Sequence, residues 1–151
     1  MDGMEIGFTS GFYIHRAEGA VDLKRFSIRP AIGYFLSDRL ELRVGYDYEE
    51  IKRDRDVTRT HVMLIGPIWY VPVADRVTGY FQADIGSSQS MIRQGGSEAE
   101  DRGLTMDLGM GTQIFLNEII AVDLGIRWMR INEMSDRDRI DLYVGTSFFL
   151  K

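Results

Sequence analysis

The sequence predicts an all-β protein: a closed, antiparallel, up-and-down β-barrel of about eight strands that crosses a membrane. Two observations lead to this prediction. Apolar and polar residues alternate with a period of two in segments spread along the chain, and short polar turns alternate with longer charged connections. Because the chain has 151 residues and no low-complexity linker, we expect a single domain over residues 1–151.

The period-two alternation is clearest in the middle and in the C-terminal part of the chain. Leu42 and Val44 share one face of a segment whose other face has Glu41 and Arg43, as in a half-buried strand. Regular segments cover residues 40–48, 104–116, 122–128 and 140–150, and less regular ones cover residues 5–15, 25–35, 59–71 and 78–92. Together they predict about eight strands.

Two features complicate this pattern. Residues 62–70 are apolar on both faces, so the alternation does not orient that strand. Pro30 and Pro67 each remove a backbone hydrogen-bond donor. We therefore expect a bulge or a strand end at each proline.

The connections between the segments differ in length and composition. Short turns are predicted at residues 37–39, 74–76 and 117–118, and longer charged loops at residues 16–24, 50–59, 93–102 and 132–139. Because the two kinds alternate along the chain, the sequence predicts short turns at one end of the barrel and four longer loops at the other.

The polar face of the strands is also the face that has the glycines. Gly109, Gly111 and Gly125 share it with Asp107 and Asp123. Because the inner side of a narrow barrel is crowded and favours small residues, we expect this face inside and the apolar face outside, against membrane lipid or detergent. The aromatic residues near the predicted strand ends suit interfacial girdles; they are Tyr34, Tyr46, Tyr48, Trp69, Trp128 and Phe148.

Composition excludes several classes of function. The chain has no cysteine, so it has neither disulfides nor thiolate chemistry. Its net charge is −5 with both signs mixed along the chain, which argues against nucleic acid as a partner. Met1 to Met4 show none of the features of a secretory signal, and we interpret the chain as a mature form with an initiator methionine.

Two segments, Pro30 to Leu42 and Tyr143 to Leu150, resemble the superfamily of small outer-membrane β-barrels that includes OmpX and the transmembrane domain of OmpA. The resemblance extends over nearly the whole chain. It implies an eight-stranded barrel in the outer membrane of a Gram-negative bacterium. Members of this superfamily serve as membrane anchors, adhesins, protective surface proteins and, occasionally, lipid-modifying enzymes.

The charged residues of the polar face could be read as a catalytic site or as a paired network inside the barrel. They are Glu41, Arg43, Asp47, Asp84, Asp107, Asp123, Arg127 and Asp141. We predict a structural network, because each buried charge needs a partner of opposite sign. We expect no catalytic residue, no cofactor and no metal, since the two histidines, His15 and His61, have no metal-binding spacing.

The charge runs of the predicted loops form a separate set. The simplest interpretation of these charge runs is that they are solvated loops. A sharper hypothesis is that the arginines Arg53, Arg55, Arg137 and Arg139 pair with lipopolysaccharide phosphates, which guanidinium groups bind well.

The first hypothesis for function is therefore a monomeric, non-enzymatic outer-membrane barrel with a structural, protective or adhesive surface role. A second hypothesis is a lipid-modifying enzyme, in which His15 or His61 would act with Ser10, Ser27 or Ser90 and an acid. A third is a soluble or engineered barrel scaffold. The sequence names no ligand or adhesion partner.

Overall fold

The computed structural model describes residues 3–15, 23–53, 56–94, 97–132 and 137–150, with the side chains of these residues except 8–15, 23, 24, 53, 94 and 137. The described chain forms eight strands. They are β1 (Met4–His15), β2 (Leu23–Ser37), β3 (Leu40–Arg53), β4 (Asp56–Ala74), β5 (Val77–Gln94), β6 (Ser97–Phe115), β7 (Ile120–Asn132) and β8 (Arg137–Leu150). No helix among these residues is long and apolar enough to cross a membrane.

The eight strands close into a barrel. Each strand pairs antiparallel with the next in the chain, and β1 pairs with β8 from Met4↔Leu150 to Ser10↔Val144. The connections β2–β3, β4–β5 and β6–β7 lie at the same end as Met4 and Leu150, and we call this end the turn end. The strand ends that flank the other four connections lie at the opposite end, the loop end. The predicted up-and-down barrel is confirmed.

Two of the four predicted long loops are wrong. Residues 50–53, 56–59, 93–94 and 97–102 of these segments are paired strand, with Arg53 opposite Asp56 and Gln94 opposite Ser97. Charged residues oppose one another across these hairpins, as in the pair of Arg93 with Glu98, and such cross-strand pairs stabilise a sheet. A charged, solvent-exposed strand therefore resembles a loop in sequence. The segments at residues 16–22 and 133–136 lie outside the described residues.

The expected bulges at Pro30 and Pro67 are also wrong. Pro30 opposes Phe8 on β1, and Pro67 opposes Leu42 on β3. Pro30 interrupts the pairing of β2 with β3, and Pro67 interrupts the pairing of β4 with β5, but the register is the same before and after each proline. Among the described pairs, the register shifts only beside the β2–β3 and β4–β5 turns. A proline lacks one backbone hydrogen-bond donor, so it loses one hydrogen bond to one neighbouring strand. The pairs before and after the proline keep the register of that strand.

The apolar face points outward, as predicted. Leu108 and Ile65 are 52% and 46% exposed, whereas Glu41 and Asp107 are fully buried in the lumen. The structure also orients β4, whose inner face has Val62, Leu64, Ile68 and Tyr70. This strand is apolar on both faces because it contributes to apolar layers inside the barrel as well as to the outer surface.

Glycines on the lumen face make room for large side chains of neighbouring strands. A Cβ atom at Gly33 would overlap the side chain of Glu41, and one at Gly125 would overlap the ring of Tyr143. Since Gly125 directly opposes Tyr143, the small residue and the large one fill one position in the narrow lumen together. This packing is the reason that glycine marks the inner face.

Candidate functional site

All eight charged residues predicted for the polar face lie on the lumen side of the wall. They form contacts with other lumen side chains. Sequence analysis missed the other charged members of this set, which are Glu5, Arg25, Arg29, Glu49 and Arg139. Arg25 and Arg29 follow the period of two along β2, so the signal for them was present, whereas β1 is too irregular to identify Glu5. That the network acts only structurally stays a prediction.

The loop-side network consists of three arginines and three carboxylates, contributed by β2, β3, β7 and β8. Arg127 lies 2.8 Å from Asp47 and 3.2 Å from Asp141. Arg139 lies 3.1 Å from Asp47, and its Nη1 donates to Glu49 at 2.7 Å. The remaining arginine, Arg25, contacts Glu49 and lies 3.0 Å from Asp141. Because each guanidinium contacts at least two carboxylates, the network joins strands on opposite sides of the lumen.

A second arginine group lies deeper in the barrel. Arg29, on β2, donates from Nη1 to Asp107 at 2.7 Å and from Nη2 to Asp84 at 3.0 Å. The two carboxylates lie on adjacent strands and directly oppose each other in the β5–β6 pair. Like charges in directly opposed positions destabilise a sheet, so the guanidinium between them offsets their repulsion.

A cluster of polar side chains around Arg43 lies nearer the turn end, and we call it the turn-side cluster. It consists of Glu5, Glu41, Arg43, Tyr70, Gln113, Asp123 and Ser147. Arg43 lies 2.6 Å from Glu5 and 3.1 Å from Glu41. The hydroxyl of Tyr70 contacts both carboxylates, and the hydroxyl of Ser147 contacts Glu5 and Asp123. This cluster contains three carboxylates for one guanidinium.

Two groups of apolar side chains also lie in the lumen, one near the turn end and one beside the loop-side network, where Val62 opposes Asp47 and Met129 opposes Arg139. The turn-side layer consists of Phe35, Ile68, Tyr70, Tyr80, Ala121 and Phe149, and the loop-side layer of Val62, Leu64, Met129 and Ile131. A cavity of about 30 Å³ lies between the arginine groups and the turn-side cluster, which is room for a water molecule. The described lumen is thus filled by side chains, as expected for eight strands.

A larger cavity, of about 640 Å³, opens at the turn end. Its floor is formed by Phe35, Phe115 and Phe149, and its rim by turn residues that include Asp75 and Glu118. The rings of Phe115 and Phe149 lie 5.2 Å apart between centroids. This cavity is separated from the charged lumen by the turn-side apolar layer.

The arginines predicted to contact lipopolysaccharide have different positions. Arg139 is not a loop residue: it lies in β8, and its guanidinium is bonded inside the lumen to Asp47 and Glu49. It is therefore engaged there rather than presented to the membrane surface. Arg55 and the side chains of Arg53 and Arg137 lie outside the described residues.

The described groups do not assemble the hydrolase site considered above. His61 lies on the outer surface beside Tyr46 and Tyr48, whereas Ser90 is buried in the lumen against Thr60. Ser90 and His61 are therefore on opposite sides of the wall, and the side chains of His15 and Ser10 lie outside the described residues. Within residues the structure describes, no three His, Asp or Glu side chains form a group suited to a metal ion.

Above the apolar band, the outer surface of β3 and β4 has a charged group. Glu50 lies 2.7 Å from Lys52 and 2.9 Å from Arg59. Hydrogen bonds from Lys52 and Arg59 lower the pKa of Glu50 because they stabilise its ionised form. Lys52 and Arg59 are each about half exposed.

No protein-family model matches the chain, and no curated protein matches it. Several solved structures do. Neisserial surface protein A is 18% identical with a TM-score of 0.70, and the match covers 97% of this chain and 95% of that one. The N-terminal β-barrel domain of Pseudomonas aeruginosa OprF is 16% identical with a TM-score of 0.71, over 99% and 98% of the two chains.

A third match is Ail, the attachment invasion locus protein of Yersinia pestis. It is 11% identical with a TM-score of 0.66, over 99% of this chain and 100% of Ail. At these identities the likeness concerns the fold. The chain therefore has the fold of the small eight-stranded outer-membrane β-barrels.

Proposed function

We propose that the chain is a monomeric, non-enzymatic integral protein of a bacterial outer membrane, with a structural, protective or adhesive role at the cell surface. The apolar outer band supports a lipid environment, because lipid can solvate that band and cannot solvate the charged lumen. The filled lumen supports a role outside the barrel, since the cavity among its charged groups, of about 30 Å³, is too small for a substrate.

The observation that carries this proposal is the projection of the sheet at the loop end. A strand crosses a bilayer in about 9–11 residues, whereas β4, β5 and β6 have 19, 18 and 19 residues. Their outer-facing residues are apolar near the turn end and mostly polar or charged near the loop end, where Arg59, Arg93 and Glu98 lie. The hairpins β3–β4 and β5–β6 therefore extend beyond the membrane as paired strands, which give a firmer recognition surface than an unstructured loop.

Shortening one hairpin tests this role. Gln89 opposes Arg102, so residues 90–101 can be replaced by Asn-Gly, a two-residue turn that suits a hairpin. Bacteria expressing either form would be compared for adhesion to cultured epithelial cells and for survival in serum. We expect the shortened barrel to fold, as shown by its heat-dependent shift on a gel, and to lose the surface phenotype. A full-length chain without either phenotype would contradict a protective or adhesive role, and an equally active shortened chain would contradict recognition by this hairpin.

Lipopolysaccharide remains a proposed partner for Arg53, Arg55 and Arg137. Support comes from Arg53 and Arg137, which are the loop-end residues of β3 and β8, near the half-exposed Lys52 and Arg59, which add positive charge. In an outer membrane with short turns on the periplasmic side, this end meets the outer leaflet.

The test compares two sets of variants in binding to lipopolysaccharide micelles. We expect Arg53, Arg55 and Arg137 changed together to alanine to bind less tightly. The control changes Arg39 and Arg76, which lie in turns at the opposite end, and should bind as the unmodified protein does. Equal binding by all three proteins would remove this partner.

A further inference from the structure

The turn-side cluster has an excess of acidic groups in a closed site. Glu5, Glu41 and Asp123 are at most 6% exposed, and Arg43 is the guanidinium that contacts this group. If all three carboxyl groups were ionised, the cluster would have two uncompensated negative charges. Each such charge would cost several kcal/mol to bury.

The hydroxyl of Tyr70 bridges two of these carboxyl groups. It contacts Oε2 of Glu41 and lies 2.9 Å from Oε2 of Glu5. A phenol has one hydrogen to donate and an ionised carboxylate has none. Both contacts can be hydrogen bonds only if one carboxyl group also has a proton.

The hydroxyl of Ser147 stands in the same relation to Glu5 and Asp123. Its Oγ lies 2.7 Å from Oε1 of Glu5 and 2.7 Å from Oδ2 of Asp123. Again one hydroxyl hydrogen serves two carboxyl oxygens. A second additional proton is therefore needed.

Glu5 is the carboxyl group best suited to stay ionised, because it accepts from both hydroxyls and from two further donors. Arg43 Nη2 lies 2.6 Å from its Oε1, and Gln113 Nε2 donates to the same oxygen at 3.3 Å. Hydrogen bonds of this kind and an adjacent guanidinium favour the charged form of a carboxyl group. The two additional protons then belong on Glu41 and Asp123.

We infer that the turn-side cluster is an internal proton-binding site that holds two protons at neutral pH, one on Glu41 and one on Asp123. Two chains of hydrogen bonds then converge on ionised Glu5: Glu41 donates to Tyr70, which donates to Glu5, and Asp123 donates to Ser147, which donates to Glu5. Glu5 and Arg43 form a neutral pair. The two bridging hydroxyl groups require two additional protons, and the balance of charge in the cluster independently requires the same number.

The surroundings agree with this assignment. Besides Glu5, which faces both groups, the polar side chains that face Glu41 are Arg43 and Tyr70, and those that face Asp123 are Ser147, Gln113, Tyr80, Tyr143 and Arg43. The loop-side network differs, because its three carboxylates accept from three guanidinium groups and, among the described side chains, no hydroxyl bridges two of them. Those carboxylates can all be ionised.

The sign of the pH dependence follows. Free Glu and Asp side chains are ionised at neutral pH in the unfolded chain, so folding takes up two protons. The contribution of the cluster to stability is fully present below about pH 4 and is lost as the pH rises through the range in which folded Glu41 and Asp123 release their protons. From about pH 5 upwards, each proton changes the unfolding equilibrium constant about tenfold per pH unit.

The experiment measures urea unfolding of the barrel in lipid vesicles between about pH 5 and 6.5, above the ordinary pKa of free carboxyl groups. The unmodified protein is compared with E41Q/D123N, whose amides can donate the same hydrogen bonds without a titrating proton. We expect the logarithm of the unfolding constant to rise with pH about two units per pH unit more steeply in the unmodified protein. Equal slopes would overturn the proposal.

Infrared spectroscopy of the folded protein at neutral pH gives a second readout that does not depend on unfolding. We expect carboxylic-acid carbonyl absorption that falls in E41Q and in D123N and falls furthest in the double variant. D47N, in the loop-side network, serves as the control and should leave that absorption unchanged. A folded protein with no acid absorption would show that all three carboxyl groups are ionised and that the inference is wrong.

Discussion

Arg127 and Asp47 lie 2.8 Å apart across the lumen, on β7 and β3, although 80 residues separate them in the sequence. Both side chains are nearly fully buried. Because β3 and β7 are opposite strands in a ring of eight, this pair joins the two sides of the barrel. Removing one partner would leave the other charge buried without its closest counter-ion.

The first prediction concerns this pair. Arg127→Met should lower the free energy of unfolding by about 3–5 kcal/mol, as expected when a buried ion pair loses one member. The double variant R127M/D47L should lose clearly less, because the remaining Arg139 and Asp141 lie 2.7 Å apart and pair with each other. Urea titrations in lipid vesicles would measure both. If the loss of unfolding free energy in the double variant equalled the sum of the losses of R127M and D47L alone, the pair would make no direct contribution to stability.

A second prediction compares two glycines of the lumen face. Gly33→Ala should destabilise the barrel by about 1–3 kcal/mol through overpacking, because the added methyl group overlaps Glu41. Gly45→Ala is the matched control, because the nearest atom to its added Cβ, Nε of Arg29, would lie at an ordinary contact distance of 3.6 Å. Unfolding midpoints of the two variants give the comparison. Equal effects would show that the crowding at Gly33 is relieved by a small shift.

A third prediction tests the outer band. Leu108, which is 52% exposed, lies in the apolar stretch of β6, and Leu108→Arg should cost about 2–4 kcal/mol in a bilayer if it lies at the midplane. Ser97→Arg, at the loop end of the same strand, should cost less than about 1 kcal/mol. Refolding yield and urea midpoint in vesicles would be measured for each. A folded Leu108→Arg variant of unchanged stability would indicate that this face does not meet lipid.

A fourth prediction concerns pH at the outer surface. Lys52 and Arg59 lower the pKa of Glu50, so the contribution of Glu50 to stability is present above its ordinary pKa and is lost as the pH falls through the lowered one. Because the partners Lys52 and Arg59 are about half exposed, solvent screens the ion pairs and the effect should stay well below about 1 kcal/mol. NMR titration of Glu50 should show a higher pKa in Lys52→Ala. An unchanged value would show that the ion pair is not populated in solution.

Much of the architecture could be predicted because its signal is local. Alternation within a dozen residues shows a strand and its two faces, and the glycines of residues 109–125 show which face is crowded. The length of the strands was harder to predict. Charged residues on the paired β5–β6 projection have the composition of a loop, and only the partner strand shows that they are a sheet.

The candidate site was predictable in part for the same reason. The period of two placed Asp107 and Arg127 on the lumen face, and it also applied to Arg139, which its charged neighbours had suggested to be a loop residue. The orientation of β4 could not be read, because Val62 and Met63 are both apolar while one packs inside the barrel and the other lies outside.

The sequence by itself therefore determined that this protein is a β-barrel with a polar interior and an apolar exterior, since both properties follow from residues close together in the chain. Only the tertiary structure decided which charges meet. Arg127 reaches Asp47, and Glu5 receives hydrogen bonds from Tyr70 and Ser147, because closure of the ring brings distant strands face to face across a narrow lumen. Pairing across the lumen depends on strand number and register, which are properties of the whole barrel.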